Sequence, residues 1–182
     1  HSISDWRTPL FLYATVPFVA IFGLNEWGVR LPPVFFGIIT LPIFFLLIRQ
    51  LFKNEKLALL GTFFLATSMW HLQYSRAAFE VTQMLFLLIS GLYFFLKGLQ
   101  KWPYLVLAAV FLALAPYSYN TAKFFLPFFG LALFLIFRRD LLKIPSRKLI
   151  LVCFVFVLIS LPMLYDILWG KAGDRFSVLS IF

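Results

Sequence analysis

Seven apolar runs separated by short polar links set the pattern of this chain: residues 8–24, 31–52, 57–74, 77–96, 103–117, 124–137 and 149–168. Most are about 16 to 22 residues long, roughly what a helix needs to cross ~30 Å of hydrocarbon. A backbone in lipid must satisfy its own hydrogen bonds, so the runs predict helices rather than open strands. The first run carries Pro9 and Pro17 and lies between Asp5, Trp6 and Arg7 on one side and Asn25, Glu26 and Trp27 on the other. It reads as a span or as a helix lying in the interface. Run 31–52 opens on Pro32 and Pro33, near a helix start where a missing amide does little harm. Runs 103–117 and 124–137 are short, and Pro127 interrupts the second. No Ser- or Gly-rich linker and no internal repeat divides the chain. The expectation is one all-α, polytopic transmembrane bundle over residues 1–182.

Composition excludes a soluble alternative. Hydrophobic residues make up 63% of the chain and aromatic ones 20%, with 25 phenylalanines, against nearly half apolar in an ordinary globular domain. The single cysteine, Cys153, rules out a disulfide within the chain and is expected to be a small buried core residue. The formal net charge of +9 invites a nucleic-acid reading, but the cations fall in clusters between apolar runs rather than along one soluble face, so no nucleic acid is expected. The chain begins at His1 with no Met and no cleavable signal pattern, which leads us to expect a piece of a longer protein.

Orientation follows from Lys and Arg. If run 31–52 enters from outside, the cytoplasmic links hold Arg49, Lys53, Lys56, Lys97, Lys101, Arg138, Arg139, Lys143, Arg147 and Lys148, ten of the sixteen basic residues. The outer side keeps Arg7, Arg30, Arg76, Lys123, Lys171 and Arg175, provided run 8–24 does not cross. The outer links also carry Asp5, Glu26, Glu80, Asp166 and Asp174.

Among those outer links, residues 68–80 form a polar island holding Trp70, His71, Tyr74, Arg76 and Glu80. Ionisable groups at the edge of hydrocarbon are costly and mark places where a cavity or headgroup is met. Cations beside Trp and Tyr at one leaflet suit a lipid phosphate, because guanidinium donors match phosphate oxygens in paired geometry. The competing reading is simple anchoring of helix ends at an interface. Arg76 and Glu80 are four apart and can pair on a helix; a structural ion pair and a substrate contact both fit. His71 has no second His or Cys at metal spacing. Tyr117, Tyr119 and Lys123 follow Pro116 and are expected to line a helix break.

Several blocks then resemble, in order, the bacterial GT-C membrane glycosyltransferases, in particular the protein-mannosyltransferase-like and aminoarabinose-transferase-like families. They are Arg7-Thr8-Pro9-Leu10-Phe11-Leu12-Tyr13, Phe22-Gly23-Leu24-Asn25-Glu26-Trp27-Gly28-Val29-Arg30-Leu31-Pro32, the island at 70–80, Tyr117-Ser118-Tyr119-Asn120-Thr121-Ala122-Lys123-Phe124, and residues 174–182. The resemblance implies a multi-pass inner-membrane enzyme that moves a sugar from a polyprenyl-phosphate carrier to a lipid, glycan or protein acceptor on the extracytoplasmic side. It also implies that run 8–24 is an extracytoplasmic interfacial helix, leaving about six spans.

By the same resemblance the catalytic carboxylate would stand upstream of His1, so no catalytic residue is named within the chain, and the fragment alone is expected to be inactive. No cofactor is assigned; a divalent metal would enter only through upstream residues. Carried over by position, Arg7 contacts carrier phosphate, Arg30 holds the outer loop against the bundle, and Arg76 with Glu80 shapes the cavity. Asp5 is a second carboxylate or a salt-bridge partner of Arg7. Tyr119 and Lys123 complete the expected substrate-binding set. A transporter or lipid flippase is the alternative, and it would need ionisable residues deep within spans, where this chain has almost none. A purely structural assembly subunit would have no cavity behind the outer links.

Overall fold

The computed structural model describes residues 9–169, and within them the chain is a helical bundle without strands. The helices are α1 (Pro9–Phe22), α2 (Glu26–Phe52), α3 (Glu55–Thr67), α4 (Met69–Arg76), α5 (Val81–Gly98), α6 (Pro103–Ser118), α7 (Thr121–Leu141) and α8 (Ser146–Trp169). Four of them, α2, α5, α7 and α8, are long and apolar enough to cross a membrane. The shorter α6, and α3 together with α4, make the other two of the six expected passes between the two ends of the bundle, and they are short for local reasons. Run 57–74 breaks where Ser68 takes extended backbone (φ −60°, ψ 128°), ending α3 and starting α4. The 16 residues of α6 reach about 24 Å at 1.5 Å per residue. The 14 residues of α1 reach about 21 Å, short of the ~30 Å hydrocarbon layer.

The turn after α1 folds it back on α2. Gly23 adopts φ +81°, a left-handed conformation that glycine takes without strain. Asn25 then caps α2, its side-chain oxygen accepting from the Gly28 amide at 2.9 Å. This start lies earlier than the sequence suggests, so Pro32 and Pro33 sit inside the helix, both buried, and not at its first turn. Two threonine hydroxyls on apolar helices are satisfied within their own helix: Thr40 donates to Phe36 O at 2.6 Å and Thr62 to Ala58 O at 2.8 Å.

Helices α2, α5 and α7 run one way, and α3, α6 and α8 the other. Their shared ends put the links 53–54, 99–102 and 142–145 on one side, and 68–80 with 119–120 on the other. The first side is the one with the ten clustered cations, where Lys97 lies 4.5 Å from the Tyr104 ring centre and Lys148 5.1 Å from that of Trp102.

Close backbone approach organises the middle of the bundle, as expected where lipid removes any hydrophobic drive between helices and small residues decide packing. A Cβ on Gly91 would stand 2.6 Å from Leu112 Cδ2, and one on Gly98 2.6 Å from Leu105 Cδ2. Both partners are seven residues apart on their helices, so α5 and α6 mesh antiparallel along one seam. Leu105, Ala108, Ala109 and Ala113 are buried there. Cys153 is exposed on α8 rather than buried, because α8 leans on α6 along one face and turns the rest outward.

A hydroxyl fastens α6 to α8. Tyr117 Oη donates to the Ile159 carbonyl at 2.6 Å and accepts from the Met163 amide at 3.2 Å. Those two groups would bond each other in an uninterrupted helix, and Pro162 beside them has no amide to offer. Tyr117 is thus inserted into the ladder of α8. Tyr117→Phe is expected to lower stability by about 1 kcal/mol, because the freed carbonyl and amide can pair again, and to lower the thermal midpoint in detergent by about 2–4 °C. An unchanged midpoint would remove Tyr117 as the fastener.

Candidate functional site

The island at 68–80 builds the floor and one wall of a depression at the cation-poor end. Helix α4 is a two-turn plate with extended backbone at both ends, Ser68 before it and Ala77 (φ −88°, ψ 151°) after it. Tilted ring contacts stiffen its outer side, Trp70 against Tyr74 at 4.9 Å and Tyr74 against Phe79 at 5.6 Å. The inner face is seated on α2 at Gly37, where a Cβ would overlap Ser75 Oγ and approach Thr82 Cγ2 at 3.7 Å. His71 is only 4% exposed. Burial lowers its pKa below the usual imidazole range, with the Gly37 carbonyl pulling the other way, so it is held neutral near pH 7. Its Nδ1, Ser75 Oγ and Thr82 Oγ1 have no hydrogen-bond partner.

The opposite side of α4 presents Arg76 to a cleft of about 210 Å³ shared with Arg30, Glu26, Trp27, Leu31 and Val34. Arg30 Nη1 lies 3.6 Å from Glu26 Oε2, and both side chains are largely exposed, at 61% and 80%. An ion pair so wetted is weak, and the Arg30 guanidinium stays free to meet an anion. A second depression of about 420 Å³ shares Glu26 and Arg30 and adds Leu24, Val29 and Ala78. A third, of about 240 Å³, shares Leu24, Val29 and Ala78 and reaches Glu80 beside Phe11, Leu12 and Thr15. Together they form one furrow, with two guanidinium groups at one end and a carboxylate at the other.

Arg76 and Glu80 do not pair with each other among the described residues. The extended Ala77 stops the helix between them, so the i, i+4 geometry never forms. Instead the Glu80 carbonyl accepts from the buried Ser118 hydroxyl at 3.2 Å, and that hydroxyl also lies 3.1 Å from Gln83 Oε1. This contact closes the α5–α6 seam at the end that carries the furrow.

Lys123 stands on the other side of that seam. It lines a groove of about 340 Å³ between α6, α7 and α8, apart from Arg30 and Arg76. Tyr119 marks the expected break after Pro116, three residues on, with φ −149° and ψ 135°. Arg7 and Asp5 lie outside the described residues. Sequence reasoning missed Ser118 and Gln83, whose buried contact is announced by no spacing. It also gave Glu26 no role, although Glu26 stands beside Arg30 in both clefts. Among the described residues, no three His, Cys, Asp or Glu side chains gather to hold a metal ion.

A family model described as dolichyl-phosphate-mannose-protein mannosyltransferase matches residues 6–165. The chain belongs to that family. It is a membrane protein of the GT-C glycosyltransferase type. The mannosyltransferase-family match takes in Arg7, Arg30, Arg76, Glu80, Tyr119 and Lys123, and leaves Asp5 just before its first residue. Over 78 residues the chain is also 36% identical to dolichyl-phosphooligosaccharide-protein glycotransferase 2 of Pyrococcus horikoshii, a stretch of 42% of this chain and 10% of that protein. The chain therefore spans about a tenth of the length of the curated relative it matches. No solved structure matches.

Proposed function

We propose that the protein containing this chain transfers a sugar from a polyprenyl-phosphate carrier to a lipid, glycan or protein acceptor on the extracytoplasmic side of the inner membrane. The observation that carries this reading is the meeting of Arg30 and Arg76 in one cleft at the bundle end opposite the ten clustered cations. By the bias of Lys and Arg toward the cytoplasm, the furrow faces out.

In the transfer an acceptor oxygen or nitrogen attacks the anomeric carbon, the bond from that carbon to the phosphate oxygen breaks, and the electron pair leaves with the polyprenyl phosphate. The extra negative charge on that phosphate needs fixed cations. Two guanidinium groups on different helices, with Arg7 as an expected third, supply them in the paired geometry phosphate oxygens prefer. The acceptor proton passes to a general base as the new bond forms; Glu80, at the far end of the furrow, shapes the space for the sugar and acceptor.

The name of the Pyrococcus relative supports a lipid-linked donor for this class of protein. The reading is tested with membranes holding the intact protein and a radiolabelled sugar presented either on polyprenyl phosphate or on a nucleotide. Label should move to an acceptor from the lipid donor alone. Transfer from the nucleotide sugar without lipid would reject the proposal.

A further inference from the structure

Helix α4 is seated by its polar side. Its large apolar residues turn outward, with Met69 80%, Trp70 45% and Leu72 47% exposed, while His71 and Ser75, one turn apart, meet α2 at Gly37. The seat holds three buried polar atoms without a partner, His71 Nδ1, Ser75 Oγ and Thr82 Oγ1, and each such atom costs stability. A helix held by so few apolar contacts lies at the weakly held end of a fold. The extended residues at its two ends, Ser68 and Ala77, are places where it can turn without unwinding α3 or α5.

His71 is also the most consequential group to charge. Among the described residues it is the only histidine, and no Lys, Arg, Asp or Glu is buried as it is. It makes no ion pair there. Of the elements packed against α4, α2 carries Glu26, Arg30 and Arg49; Gly37 stands seven residues past Arg30 and twelve before Arg49, about 10 and 18 Å along the helix. Helix α3 has Glu55 and Lys56 in its first turn, at the far side of the bundle, and no ionisable side chain over 57–67. Helix α5 has none over 81–92, and its Tyr93 and Lys97 lie toward that same far side. Glu80 lines the furrow. On α4 itself Tyr74 packs against Trp70 and Phe79 on the outer face, and Arg76 lines the cleft. An imidazolium in the seat would be a buried charge with no carboxylate to meet it.

We infer that α4 is a proton-operated latch on the cleft. With His71 neutral, α4 rests on Gly37 and presents Arg76 beside Arg30. When the imidazole takes a proton from the medium, the charged ring leaves the seat for water and headgroups, and α4 swings out about Ser68 and Ala77, carrying Arg76 away from Arg30. The sign follows from linkage. The lifted form takes up its proton at the ordinary imidazole value of about 6.5, and the seated form excludes it. The seat is therefore at full strength above that value and weakens as the pH falls below it, by up to about tenfold in the seated-to-lifted ratio per pH unit. The inference goes beyond the transfer reaction and holds whether or not the cleft takes a carrier phosphate.

The test is amide hydrogen exchange on the intact protein in lipid nanodiscs between pH 8 and pH 5, with rates corrected for the intrinsic effect of pH. A two-turn helix off its seat does not persist in water, so lifting exposes the amides of Met69–Arg76. In the wild type their protection should fall about tenfold across the range, with a midpoint below 6.5, while residues 84–96 of α5 keep theirs. His71→Gln and His71→Leu, which cannot take the proton, should give flat profiles over α4. Protection of α4 that is independent of pH in the wild type would overturn the latch, and this curve needs no variant to fold. An equal loss in either variant would assign the response to another group and overturn it too, as would a loss shared in equal measure by α5, the mark of general acid unfolding.

Discussion

Gly98→Leu is expected to pull α5 and α6 apart at their cation-rich end and to leave little folded protein in detergent. Even the first carbon of the new side chain has no room. A Cβ at Gly98 stands 2.6 Å from Leu105 Cδ2 and Cγ, and 2.7 Å from the Leu105 backbone nitrogen. A side chain can rotate away; a backbone amide at the start of α6 cannot without moving the helix.

Three glycine-to-alanine changes separate the contributions. Alanine gains up to about 1 kcal/mol over glycine in a helix interior, while forced overpacking costs about 1–3 kcal/mol. At Gly98 the clash involves backbone, so Gly98→Ala should be net destabilising. At Gly91 the close atoms belong to the Leu112 side chain and the nearest backbone atom is 3.5 Å away, so Gly91→Ala should be milder. Gly130 has open space around it, and Gly130→Ala should be neutral or slightly stabilising. Thermal midpoints of the three variants, measured in one detergent, provide the check. A Gly98→Ala midpoint at or above that of Gly130→Ala would discard the close-approach account of the α5–α6 seam.

The second large effect is expected at the furrow. If Arg30 and Arg76 hold the carrier phosphate, each charge-assisted contact contributes about 1.5–3 kcal/mol, or roughly a tenfold to a hundredfold change in transfer per arginine. Arg76→Ala should show the cleaner loss, since Arg76 has no acidic partner among the described residues, whereas removing Arg30 also frees Glu26 at 3.6 Å. The two arginines share one cleft, so the double variant should fall short of the product of the single losses, as coupled sites do. Lysine at either position should rescue only part, because it keeps the charge without the paired donors. The measurement is kcat/KM for a polyprenyl-phosphate sugar in the intact protein, with the thermal midpoint as fold control. Transfer unchanged in Arg76→Ala at full stability would remove the cleft from the reaction.

How much of this was legible beforehand differs from residue to residue. Residues 31–52 announced α2 through length and hydropathy alone, and the clustered cations fixed which links share a side. The polar island from Ser68 announced the end of the apolar stretch, but not that Ser68 would break run 57–74 so that α4 can lie as a separate helix with Ser75 against Gly37. The break after Pro116 was expected, but the use of Tyr117 to fasten α8 was not, since it depends on which turn of α8 arrives beside it. Lys123 was expected beside Arg76 because both lie in links on one side. They belong to different hollows because α5 and α6 mesh between them.

What the sequence by itself determined, then, is the helical membrane bundle, the clustering of cations in alternate links and the family to which the chain belongs. These follow from local quantities: apolar length, the backbone's need to bond internally, the positions of Lys and Arg, and the order of short motifs. Only the tertiary structure decided which cations share a cleft, where helices end early and where a groove stays open. A soluble helix declares its inward face by an apolar stripe, but here the lipid-facing and core-facing sides are equally apolar, so the rotation of each helix about its axis is left to close contacts such as Gly37 with Ser75 and Gly98 with Leu105.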